Sequence, residues 1–179
     1  MITIDIDGHL VQEKLATALR QIVGSSAWRG TELVDRPRRF RWDMVYEDAG
    51  RTVAVEFDGD EHYRHSLKIK ADLEKDALAR ERSWRVVRVP YWVQLTSETL
   101  LHYFGLEANI RQSFSHGFIT TRIFPASFCE FGVGRFDREL AALPTAVRAA
   151  VISSLLDRAE EHGREYVLPT TLTHLLPAS

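Results

Sequence analysis

The acidic residues between positions 43 and 76 are the part of this chain whose types and spacing could do chemistry. Asp43 lies inside an apolar-aromatic run, Trp42-Asp43-Met44-Val45, where a carboxylate is costly unless something satisfies it. Glu56 and Asp58 close a second apolar run. Alternation along a strand puts both on one face, about 6.6 Å apart at twice the strand rise. Asp43, on the preceding strand, can approach them across a hairpin. Two carboxylates about 4 Å apart repel by roughly 4 kcal/mol at an effective dielectric of 20. A fold tolerates that if one acid is protonated, if a base pairs with them, or if a divalent cation sits between them. Hard oxygen donors without a cysteine partner favour Mg²⁺ or Mn²⁺ over zinc. The bland alternative is a strand running into solvent, with Asp58-Gly59-Asp60 as a turn.

Charge is segregated around these acids. Residues 52–63 carry four acids and no base, whereas residues 64–88 carry eight bases against four acids. A basic segment, Arg36-Pro37-Arg38-Arg39-Phe40-Arg41, leads straight into the strand of Asp43. Arg36, Arg38, Arg39 and Arg41 are therefore the candidate phosphate contacts, with Lys68 added from the following helix. An acidic pocket flanked by basic segments suits metal-assisted chemistry on a polyanion. Acids and bases pairing on a solvated face would produce the same counts without chemistry.

These residues need elements to hold them. Residues 9–23 read as a helix, with Val11, Leu15, Ala18 and Ile22 at helical spacing, Asp7 as a cap and Gly24 as a stop. Residues 40–47 and 51–58 read as two strands joined by a hairpin whose Gly50 suits a positive φ. A polar loop carrying His62 and His65 follows, then a helix over 67–82 and a strand over 84–89 ended by Pro90. On that helix Lys68, Asp72, Lys75, Asp76 and Ala79 share one sector, while Leu67, Ala71 and Leu78 cluster elsewhere. Asp72, Lys75 and Asp76 can form a surface ladder, or can orient the histidines. Thr96 or Ser97 caps a helix to about Phe104, and Pro125 and Pro144 open helices over 126–142 and 145–162. The expected class is α/β, a mixed central sheet flanked by helices with a helical C-terminal extension. A soft boundary near residue 106 separates a core of 1–106 from an extension of 107–179.

Composition excludes several classes. The chain has 179 residues, a net charge of −2, 27% charged residues and 45% hydrophobic residues, as ordinary globular domains do. Its apolar runs are too short to span a bilayer, and its start, MITIDID, lacks a signal core, so a cytoplasmic location without a membrane partner is expected. A single cysteine, Cys129, rules out an internal disulfide and reads as a buried thiol. Trp42 and Trp84 read as core, and Trp28, in a loop beside Arg29-Gly30, as a possible DNA contact.

Asp43, then Glu56-Phe57-Asp58-Gly59-x-x-His62, then Asp72-x-x-Lys75-Asp76, then Ser83-Trp84-Arg85-Val86-Val87-Arg88-Val89 resembles the PD-(D/E)XK nuclease superfamily. The nearest branch is the small domains related to very short patch repair endonucleases, and the match covers about residues 9–92. The resemblance implies a restriction-endonuclease-like core, a divalent metal (Mg²⁺ or Mn²⁺) and hydrolysis of DNA phosphodiesters. It implies Asp43 and Glu56 as metal ligands, Glu13 as a first-helix acid that joins them, and His62 as the histidine of the signature, aiding proton transfer. Glu13 nevertheless falls opposite the apolar stripe of its helix. Asp58 stands where the superfamily has its lysine, and Lys68, Lys70 or Lys75 is expected to substitute from the next helix. Ser83 and Lys75 replace the branch's glycine and arginine. The expected function is thus a metal-dependent endodeoxyribonuclease in repair, restriction or defence, with Asp43, Glu56, Asp58, His62 and Lys75 as its catalytic set. The alternative is an inactive nuclease-fold module that binds DNA or a protein. A homodimer or protein partner could use the C-terminal helices.

Overall fold

The computed structural model describes residues 2–35, 40–114, 117–118 and 123–176. The elements run β1 (Thr3–Ile6), α1 (Gln12–Val23), β2 (Trp28–Asp35), β3 (Phe40–Asp48), β4 (Arg51–Asp58), α2 (Glu61–Arg64), α3 (Ser66–Glu81), β5 (Arg85–Pro90), α4 (Ser97–Phe104), β6 (Asn109–Gln112), α5 (Glu130–Ala142), α6 (Thr145–His162) and α7 (Arg164–Val167). The fold is mixed α/β, a four-stranded mixed sheet flanked by helices with a helical C-terminal region. Strand order is β2-β3-β4-β5, antiparallel except for the parallel pair β4-β5, whose crossover is made by α2 and α3. A second, two-stranded parallel sheet joins β1 to β6. No helix among the described residues is long and apolar enough to cross a membrane.

The central hairpin forms as its sequence dictates. Asp48 pairs with Arg51, leaving Ala49 and Gly50 as a two-residue loop with φ of 48° and 80°. Positive φ at both positions is the type I′ geometry that matches strand twist. At the other end the sheet forks. The β3–β4 ladder stops at Met44 and Val55, while β3 stays paired to β2 as far as Phe40 and β4 stays paired to β5 as far as Asp58. Asp43 therefore sits on one tine of the fork, and Glu56 and Asp58 on the other.

Apolar burial falls on both faces of the sheet. Met44, Tyr46, Val53, Val55, Val87 and Val89 pack against Leu15, Ala18 and Leu19 of α1 and against α4, β1 and β6. Trp42, Val45, Ala54 and Ala79 cluster with half-buried Trp84 and Val86 beside α3. A separate aromatic-rich core holds the C-terminal helices, and it also takes in Tyr63 of α2 and Trp92-Val93.

Several local expectations are corrected. α1 starts at Gln12 with Val11 as its N-cap, and no side chain caps it. Asp7 cannot serve because the chain is tied elsewhere: the Leu10 N–H donates to Gln94 Oε1 at 2.8 Å, and Lys14 Nζ donates to the Asp7 and His9 carbonyls. Trp28 opens β2 rather than lying in a loop, and it packs half-buried on the α1 side. The residues around His62 form the short helix α2. Pro125 opens only a turn of 3₁₀ helix, Pro125–Ser127, and α5 begins at Glu130 with half-buried Cys129 as its N-cap.

The largest correction concerns α3. Its buried face is the charged one, with Asp72 and Lys75 inside beside Ile69, Leu78 and Ala79, while Leu67 is 80% exposed. A charged face is buried only where partners wait for it, and these lie in the fork of the sheet.

Candidate active site in the fork of the sheet

Where β3 and β4 separate, the backbone donors that would have continued the ladder need acceptors. The two acids supply them reciprocally. Asp43 Oδ2 accepts from the Phe57 N–H at 2.8 Å, and Glu56 Oε1 accepts from the Asp43 N–H at 3.2 Å. The splay thus brings the two carboxylates together at strand ends held by continuous pairing on their outer sides. Lys75 reaches in from α3, its Nζ 2.7 Å from Glu56 Oε2. The same Nζ donates to the Arg41 carbonyl and lies 4.4 Å from the centroid of the Trp42 ring. Burial pushes the Asp43 carboxyl above the usual range, against the pull of the Phe57 N–H and Lys75. Burial also raises Glu56, with Lys75 opposing the shift and Asp43 adding to it. Lys75 is the cation that touches the pair, whereas Arg88 lowers Glu56 and His62 lowers Asp43 only through space, and burial outweighs them all.

Two residues along β4, Asp58 meets different company. Its side chain is fully buried, Arg88 Nη1 donates to Oδ1 at 2.8 Å, and Arg135 Nη2 donates to Oδ2. Burial alone would raise this carboxyl, but the two guanidiniums overcome it and hold it below the ordinary aspartate value. Arg88 also forks onto Asp76, at 2.9 and 3.1 Å. Asp72 takes part through His62 Nδ1 at 2.6 Å, Arg135 Nη1 at 3.4 Å and Arg88 Nη2 at 3.5 Å. His62 Nδ1 is also 3.2 Å from Asp58 Oδ1. With a carboxylate oxygen on either side, Nδ1 acts as the donor, so any acceptor role of the ring falls to Nε2. His62 and Asp58 both influence Asp43 electrostatically, so the two clusters adjoin.

The expected residues are distributed as follows. Glu56 meets both Asp43 and Lys75, and of Lys68, Lys70 and Lys75 only Lys75 reaches it. Lys68 and Lys70 are exposed on α3. Asp72, Lys75 and Asp76 do not form a ladder with one another, since each bonds across to another element, and Asp72 does orient His62. His65 is exposed at the N-cap of α3. Glu13 is exposed on α1, in a depression shared with Thr31, the strand partner of Met44. Arg41 is exposed at the start of β3, and its carbonyl serves Lys75. Arg36, Arg38 and Arg39 lie outside the described residues.

Arg135 is the residue that sequence reasoning missed. Its helix comes from the extension, to which no chemistry had been assigned. A signal existed in Gly132-Val133-Gly134-Arg135, because glycine inside a helix costs stability and marks a close approach. A Cβ on Gly132 would fall 1.8 Å from the Tyr63 carbonyl oxygen. The same carbonyl accepts from the Cys129 N–H at 3.1 Å. Helix α5 therefore docks on α2 backbone to backbone, one residue beyond His62.

The donor chemistry separates two candidate cation sites. Ligand atoms of Asp58, His62 and Asp72 lie within 4.8 Å of one another, the one such group among the described residues. Two guanidiniums already hold both carboxylates, and a divalent ion there would face them, so the group does not fit a metal. Asp43 and Glu56 fit better: hard oxygen donors, raised by burial, with one ammonium in contact, while Arg88 acts on Glu56 and His62 on Asp43 only through space. Compared with protein-family models, with curated proteins and with solved structures, the chain matches none.

Proposed function

We propose that this chain is a divalent-metal-dependent endonuclease that hydrolyses DNA phosphodiester bonds, with Asp43, Glu56 and Lys75 as its centre. One observation carries the reading: where the sheet forks it brings half-buried Asp43 and buried Glu56 together at adjoining strand ends, and a lysine from α3 meets Glu56. Asp43 and Glu56 would hold Mg²⁺ or Mn²⁺, which supplies Lewis acidity toward the phosphate and a lowered pKa for bound water. Lys75 balances negative charge beside Glu56, the task left open by Asp58 in the lysine's usual place. His62, its Nδ1 proton committed to carboxylates, offers Nε2 for proton transfer next to Asp43. Asp58 organises this histidine. Glu13 as a further ligand rests on the resemblance alone, since no contact among the described residues brings it to Asp43 or Glu56, and the basic segment Arg36–Arg41 with Lys68 would hold the DNA backbone.

A second reading is favoured by the hydrogen bonding itself. Asp43 and Glu56 each commit an oxygen to a backbone N–H, and Lys75 occupies the other oxygen of Glu56. A scaffold that binds DNA or a protein without cutting would be complete as it stands. Supercoiled plasmid incubated with Mg²⁺, Mn²⁺ or EDTA separates the two. Metal-dependent nicking is expected, and Glu56→Gln should lower it by at least about 100-fold, the upper range for residues that merely support a ligand. Equal nicking by wild type and variant would remove the centre from the reading. No nicking together with no metal binding would leave the scaffold.

A further inference from the structure

We propose that Arg135, delivered by α5 from the C-terminal half, is a positioning residue of the cleavage site: it clamps Asp58 and Asp72 so that they hold His62 in the tautomer with Nδ1 protonated and Nε2 available. The inference rests on the functional reading above and adds a residue from a region with no assigned chemistry. The Arg135 side chain is 9% exposed and spends its donors on four acceptors. These are Asp58 Oδ2, Asp72 Oδ2 at 3.4 Å, the His62 carbonyl at 3.3 Å and Glu139 Oε1 at 2.7 Å. Three of the four belong to His62 itself or to the carboxylates that touch its ring. Its guanidinium also covers the Tyr63 ring at 4.7 Å, the residue next to His62.

The rest of the surroundings agree. The charged groups facing His62 are Asp58 of β4, Asp72 of α3 and, through space, Asp43 of β3, with Arg88 of β5 behind the first two. Arg88 clamps the carboxylates from the sheet side and Arg135 clamps them from the helical side. A planar five-donor fork can serve several fixed oxygens at once, which an ammonium cannot. Glu139 and the Tyr63 hydroxyl, 2.5 Å apart, fix the guanidinium in turn. Gly132 admits the helix that carries it, as the 1.8 Å clearance of its Cβ position requires. A helical extension that merely covered the core would need none of these polar contacts.

The test uses the full-length chain labelled with ¹⁵N, with the His62 ring assigned by comparison with His62→Gln. At neutral pH the wild type is expected to show the Nδ1–H tautomer. Arg135→Lys keeps the charge but loses the fork. It is expected to give a tautomer mixture and a kcat on plasmid lowered by about 10- to 100-fold with KM retained. Asp72→Ala, which removes the Arg135-bound carboxylate nearest the His62 ring, should reproduce the tautomer loss and keeps the test alive if Arg135→Lys does not fold. A wild-type ring protonated on Nε2 would overturn the proposal. So would a folded Arg135→Lys, or Asp72→Ala in its place, that retained both the tautomer and kcat. Absence of metal-dependent cutting by the wild type would instead count against the functional reading, since the tautomer is measured without substrate.

Discussion

Glu56 and Asp58 stand two residues apart on one strand, yet they belong to two electrostatic regimes. Around Glu56 two carboxylates share one lysine, and burial raises both above their ordinary pKa. Around Asp58 two arginines converge on one carboxylate and lower it. The first region is stabilised by gaining positive charge, and the second is already satisfied. Function is sought where charge is left unbalanced, and stability where it is closed. The same contrast explains why the three-ligand group at Asp58, His62 and Asp72 organises the site better than it would hold an ion.

The sharpest way to break this comparison is to neutralise one acid from each region. Asp58→Asn strips two buried guanidiniums of their shared charge and should cost about 3–5 kcal/mol in urea unfolding. Asp43→Asn removes a half-buried charge and leaves a side-chain oxygen that can still accept from Phe57. It should change stability by less than about 1 kcal/mol while losing cleavage. Equal destabilisation by the two variants would mean that the regions do not differ.

Gly132→Ala probes the joint between the halves. Its new Cβ meets backbone oxygen rather than a yielding side-chain tip, so overpacking should cost about 1–3 kcal/mol, read as a lower denaturation midpoint. A wild-type midpoint would show that α5 can shift without loss, and would weaken the account of Arg135.

The pH dependence separates the regions by sign. Asp58, lowered in the folded state, contributes stability that is present above its ordinary value of 3.8 and is lost as pH falls through its lower folded pKa. Asp43 and Glu56 do the opposite. Between their ordinary values, 3.8 and 4.5, and their raised ones, the folded chain holds protons that the unfolded chain has lost. Stability therefore falls as pH rises through that window. A divalent cation binding the ionised pair should offset this cost. Thermal melts with Mn²⁺ are expected to show a larger rise in Tm above that window than at its acid end, corresponding to about 2.7 kcal/mol at a hundred times Kd. Asp43→Asn should abolish the difference. A cation effect equal on both sides of the window would dissociate binding from these carboxylates.

The smallest effect belongs to the surface. Lys68→Ala should leave stability within about 0.5 kcal/mol of wild type, and should lower the salt dependence of DNA binding by about one charge. An unchanged salt slope would take Lys68 out of the DNA path.

Much of the frame was legible in the sequence because it is local. The hairpin of β3 and β4 follows from two apolar runs and Gly50, and the last two long strand and helix boundaries of the core follow from Pro90 and the Thr96 cap, whose side chain accepts from the Thr99 N–H at 3.3 Å. Helix α6 begins after Pro144 as expected. The short strands β1 and β6 were not legible, since four residues each carry little periodicity and they pair across more than a hundred positions. The buried face of α3 was also hidden. A helical wheel weighs side chains by polarity, whereas Asp72 and Lys75 are inside because their partners come from β4, α2 and α5.

By itself the sequence determined the order of the elements and which ionisable side chains they present, since turn glycines, prolines, caps and alternation act over a few residues. Only the tertiary structure decided how the acids divide. It opened the sheet between Asp43 and Glu56, turned Lys75 rather than Lys68 toward them, and brought Arg135 across from a distant helix onto Asp58. A carboxylate's role depends on the charges within a few ångströms of it, and those neighbours are chosen by packing rather than by position in the chain.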